Sequence, residues 1–198
     1  MKVLNRVRVF LLVCLLAVLS FVGLTLANAK VVSKPVVEVQ DLSIKANYAF
    51  VDDYEVPALT KYVQKRSKVK LSEYQAHVIV TSAVSNGNKL RVDPTLVLAV
   101  AEVESEFNPR ASNVNAYGLM QVIPYWHKDK IRSRDIRQAR DQIAIGTEVL
   151  AEYISTSGSI RTGLKKYSGG SDKYATKVLR ARNRIRLHVV QDLLDVAV

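Results

Sequence analysis

The stretch VDPTLVLAVAEVESEFNPR, residues 92–110, limits the possible folds of this chain more than any other. Asp93 can accept a bond from an orphan amide at a helix start, and Pro94 suits the first helical position, where no amide donor is needed. Pro109 marks the far limit. The helix between them is almost wholly apolar apart from Glu102, Glu104 and Glu106. Winding it at roughly 100° per residue puts Val97, Val100, Ala101 and Phe107 within about 60° of Glu104. Glu102 and Glu106 fall about 160° away on either side, on the polar face. Glu104 alone is expected in the middle of the apolar stripe.

A carboxylate on a core-facing stripe must be paired, hydrogen-bonded or neutral. Desolvation raises its pKa and favours the protonated form that a general acid needs near neutral pH. An inward-reaching arginine or lysine would explain the position equally well. Periodicity leaves both readings open.

The rest of the pattern is helical too. Ser72 and Gln75 have capping-box spacing ahead of Ala76, Ile79, Val80 and Ala83, with a stop expected at Asn86-Gly87-Asn88. A short helical piece, LMQVI, is expected before Pro124. A longer helix is predicted from about residue 135 to 154, another from Ser159 to Tyr167, and a last one from about Asp172 with a basic face of Lys177, Arg180, Arg184 and Arg186. No strand alternation appears, so the expected class is all-α and compact.

At the N-terminus, Lys2, Arg6 and Arg8 precede an apolar run over residues 9–27, and Ala27-Asn28-Ala29 is a small-x-small pattern. Residues 1–29 therefore read as a signal peptide or membrane anchor. Residues 30–70 read as a lead-in, 71–187 as the main domain and 188–198 as a C-terminal tail. The expected location is exported: periplasm or cell envelope, with membrane contact only through the N-terminal segment.

Without the first 29 residues the chain keeps 26 basic against 18 acidic side chains, a surplus of eight. An exported basic protein points to an anionic polymer as partner. No nucleic-acid motif appears, and export argues against that partner. Cys14, the one cysteine, lies in the apolar run, which leaves the remainder without disulfide or thiol chemistry. His77, His127 and His188 lack ligand spacing, so no metal is expected.

Three segments then stand out together: Glu104-Ser105, Gly118-Leu119-Met120-Gln121, and Lys166-Tyr167-Ser168-Gly169-Gly170. With AYGLMQVIP, DQIAIGTEVL and KYATKVL around them, they resemble the soluble lytic transglycosylase domain over roughly residues 72–185. The resemblance implies a lysozyme-like helical fold, a bacterial peptidoglycan substrate and no cofactor. It further implies that Glu104 acts as single acid and base at the bond after N-acetylmuramic acid, leaving a 1,6-anhydro end. Ser105 would place the acetamido group or the glutamate, Met120 and Gln121 would line the glycan groove, and Tyr167 would hydrogen-bond near Glu104 and the sugar.

Asn115-Ala116-Tyr117 stands where the family has Gly-Ala-x, and Lys166-Tyr167-Ser168 where it has Ala-Tyr-Asn. No second carboxylate stands out, since Asp93, Asp135, Asp141 and Asp172 read as caps or surface charges. Tyr125-Trp126 offers flat aromatic surface to a pyranose or to the core. The alternatives are a goose-type-lysozyme-like hydrolase and a non-catalytic wall-binding scaffold, the latter with a secretion-system or envelope partner.

Overall fold

Asp93 caps its helix as the sequence dictates: its Oδ1 accepts the Thr95 amide at 2.8 Å, with Pro94 at the first helical position. The computed structural model describes residues 55–196. The expected signal segment 1–29 and most of the lead-in lie outside the described residues. Seven helices are described: α1 Val56–Arg66, α2 Glu73–Leu90, α3 Pro94–Ser105, α4 Lys128–Ile131, α5 Ala139–Ser157, α6 Ile160–Tyr167 and α7 Asp172–Val196. No strand occurs among the described residues, and the chain is all-α there. None of these helices is long and apolar enough to cross a membrane.

Helix α3 is the hub. It packs against α2, α5 and α7, and every residue from Pro94 to Glu102 is buried. A helix packed on several sides buries more than one stripe, and this overturns the expected exposure of Glu102, while Glu106 is exposed as expected. Glu102 is only 4% exposed. Its Oε2 accepts from the Tyr62 hydroxyl at 2.9 Å. Its Oε1 accepts from Arg66 at 2.9 and 3.1 Å and from Arg184 at 3.1 Å. The buried charge is thus paired and fully bonded, as burial requires. The partners come from α1 and α7.

Helix α1 falls within the stretch read as lead-in, yet Leu59, Tyr62 and Val63 belong to the core. At the other end, α7 continues as one helix through the stretch read as a tail, and Lys61 of α1 pairs with Asp192 there at 3.0 Å.

The capping box of α2 forms, with Gln75 N donating to Ser72 Oγ at 3.2 Å and Ser72 N to Gln75 Oε1 at 2.9 Å. The helix does not stop at Asn86-Gly87-Asn88 but continues to Leu90 and ends on left-handed Arg91. Gly87 serves close packing instead: a Cβ there would lie 2.7 Å from the Val92 carbonyl oxygen and 3.1 Å from Pro94. LMQVI is not helical. The segment around it turns back on itself through isolated bridges of Tyr117 with Ser112 and Val122. Helix α5 begins at Ala139, four residues later than expected, because 135–138 form a turn closed by the Gln138 amide on the Asp135 carbonyl at 2.9 Å.

Candidate functional site

Glu104 sits in the last turn of α3, where two consecutive left-handed residues, Glu106 (φ 50°) and Phe107 (φ 57°), end the helix and swing the chain away. Phe107 is fully buried and anchors that reversal. Glu104 is partly buried, and the Tyr174 hydroxyl of α7 donates to its Oε1 at 2.6 Å. Burial pushes the Glu104 carboxyl above the usual carboxylate range; the Tyr174 bond and the nearby Lys177 charge oppose this without cancelling it. The cationic locking open to Glu104 in the sequence falls instead on Glu102, one residue pair back.

Tyr174 was not distinguished by the sequence; its only signals are its place in KYATKVL and one position ahead of the buried Ala175. Desolvation and the Glu104 charge push its hydroxyl far above the ordinary tyrosine range, so it stays a donor. Tyr167 lies parallel to it, ring centroids 6.4 Å apart. The Tyr167 hydroxyl does not reach Glu104. It donates to the Met120 carbonyl at 2.8 Å.

The other expected site residues are engaged with the backbone or core around the GLMQ segment. Ser105 Oγ donates to the Ala101 carbonyl at 2.9 Å and the Leu119 carbonyl at 2.8 Å, tying the helix end to the GLMQ segment. Met120 is 1% exposed, and its side chain fills the space over Gly146, where a Cβ would come within 2.4 Å of its Sδ. The Met120 side chain is thus enclosed in the core, and its backbone carbonyl accepts the Tyr167 hydroxyl. Gln121 takes a left-handed backbone (φ 46°). Its amide donates to the Gly118 carbonyl at 2.8 Å and the Ala111 carbonyl at 3.1 Å, and its Oε1 accepts from Asn113 at 3.1 Å.

Gln142, which the sequence did not distinguish, is the second staple. It is 4% exposed. Its Oε1 accepts the Leu119 amide at 2.9 Å, and its Nε2 donates to the carbonyls of Ile136 at 2.8 Å and Pro109 at 3.0 Å. Gly118 (φ 78°) has no room for a side chain, because a Cβ would lie 2.4 Å from the Gln142 amide carbon.

The four aspartates are engaged elsewhere. Asp93 faces Arg182 at 2.8 Å, Asp135 Arg137 at 2.9 Å, Asp141 Arg140 at 3.5 Å, and Asp172 pairs with Arg161. Among the described residues no group of His, Cys, Asp and Glu is placed to hold a metal ion. What this arrangement can do chemically is give a proton from one carboxyl and take one back.

The chain belongs to the Transglycosylase SLT domain family, which it matches over residues 82–189. It is also similar to a protein of Enterobacteria phage PRD1 named "Transglycosylase", 37% identical over 86 residues, which are 41% of this chain and 31% of that protein. The chain thus spans about a third of that relative's length. No solved structure matches.

Proposed function

We propose that this protein is a peptidoglycan lytic transglycosylase in the cell envelope, with Glu104 as its single acid and base. The observation that carries this reading is the Glu104 carboxyl: partly desolvated, raised above the usual range, and free of the arginine pairing that holds Glu102. Tyr174 occupies Oε1, which leaves Oε2 for the proton. Glu104 donates that proton to the oxygen of the β-1,4 bond between N-acetylmuramic acid and N-acetylglucosamine. The bond breaks and positive charge develops at the muramic anomeric carbon, eased by the sugar's own acetamido oxygen and the carboxylate left behind. The Glu104 carboxylate then takes the proton of the 6-hydroxyl, whose oxygen closes onto that carbon. The 1,6-anhydro ring forms without water and Glu104 regains its proton.

The test is digestion of purified sacculi with mass spectrometry of the fragments. Anhydro ends are expected. Reducing ends would make the enzyme a hydrolase of the goose-lysozyme kind, and no fragments at all would leave a wall-binding scaffold. Glu104→Gln should lower the release of fragments on the order of 100- to 10,000-fold while binding to sacculi persists. Release at the native rate would overturn the role of Glu104.

A further inference from the structure

Tyr125 and Trp126 are 66% and 70% exposed and adjacent. Their rings meet at 85° with centroids 4.9 Å apart, so one meets the other edge-on and ring faces stay open to solvent. The corner is held in place. The amides of Trp126 and His127 close a turn onto the Ile123 and Pro124 carbonyls at 3.1 and 3.3 Å. Helix α4 follows at once and is fastened to α5 through Lys130 and Glu152 at 2.9 Å. Arg134 just beyond it grips Glu148 at 2.6 and 2.8 Å. Two large rings fixed side by side in water form an exposed aromatic patch.

A chain of ring-to-ring contacts leads from His127, next to Trp126 in sequence, to the acid. His127 lies 6.4 Å from Tyr153, Tyr153 6.2 Å from Tyr167, and Tyr167 6.4 Å from Tyr174, which bonds to Glu104. Aromatic faces pack well against the C–H faces of pyranose rings, and hydroxyl edges suit their polar rims. Lys128 sits 4.8 Å above the Tyr125 ring, which adds a cation where the strand carries lactyl and peptide carboxylates.

We propose that the Tyr125–Trp126 corner is a distal glycan subsite that grips the same strand several sugars from the bond cleaved at Glu104. The proposal deepens the functional reading above and rests on it. It makes the protein selective for long strands over short fragments.

Trp126 is the chain's single tryptophan, so its fluorescence reports on this surface alone. The full chain with Glu104→Gln is titrated with purified uncross-linked glycan strands and, separately, with the disaccharide unit. Strands should shift the emission to the blue and shield it from acrylamide, and the disaccharide should not. In the catalytically intact chain, Trp126→Ala should raise KM for strands about ten-fold with kcat unchanged, and Tyr125→Ala should act in the same direction. If sacculi are cleaved and strands bind while the emission stays put, the subsite is wrong and the enzyme reading stands. If the emission responds but wild-type protein releases nothing from sacculi, the subsite stands and the catalytic reading falls. An equal KM rise on the tetrasaccharide of two joined disaccharide units, which holds one cleavable bond, would also overturn the subsite, because the substitution would then be acting on the site around Glu104.

Discussion

Glu102 and Glu104 lie two residues apart on one helix and have opposite electrostatic surroundings. Glu102 is an anion between two guanidinium groups, and Glu104 is raised by burial with only a tyrosine hydroxyl at bonding distance. That hydroxyl stabilises the charged form. Tyr174→Phe should therefore push the Glu104 pKa higher still and move the alkaline limb of the kcat/KM profile upward in pH. A limb that stays put would show that Tyr174 does not act on the proton, and one moving downward that its bond favours the protonated form. Folding raises the Glu104 pKa, so the folded state holds this proton more tightly than the unfolded one. Stability then falls as pH rises from the unfolded value through the folded one, and the penalty remains at neutral pH. Glu104→Gln should raise the midpoint of thermal unfolding at pH 7, with the gain fading below about pH 4, where the carboxyl is protonated in both states.

The Glu102 knot belongs to the scale of elements, because it joins α1, α3 and α7. Glu102→Ala leaves two cations without their partner and loosens three helices at once. We expect a loss of about 2–4 kcal/mol in urea unfolding, toward the lower end because Arg66 and Arg184 are half exposed. What the sequence revealed about elements was local chemistry. The box at Ser72 and the cap at Asp93 were legible because each acts within three residues. LMQVI misled because left-handed Gln121 and the bond that the Leu119 amide donates to Gln142, 23 residues away, decide its shape. Glu102 misled because its cations lie 36 and 82 residues distant, and one is in a helix that no pattern announced. Glu104 remained legible as the odd charge in the helix, while its donor Tyr174, 70 residues on, did not.

At the scale of the molecule the net charge is +11, on a protein proposed to work on an acidic polymer. Long-range attraction of this kind is screened within about 8 Å at physiological ionic strength. Raising salt from low to high concentration should slow the solubilisation of sacculi mainly through KM, with kcat little changed. An insensitive rate would assign the basic surface another purpose.

Helix α7 carries Tyr174 against Glu104, Arg182 against Asp93, Arg184 against Glu102 and Asp192 against Lys61 along one uninterrupted rod. Each residue added to or removed from a helix turns everything beyond it by roughly 100°. One inserted amino acid between positions 174 and 184 would leave the hydroxyl or the guanidinium facing the wrong way, whatever its chemistry. The ten-residue interval from Tyr174 to Arg184 is therefore held at both ends at once, and its length matters as much as either side chain.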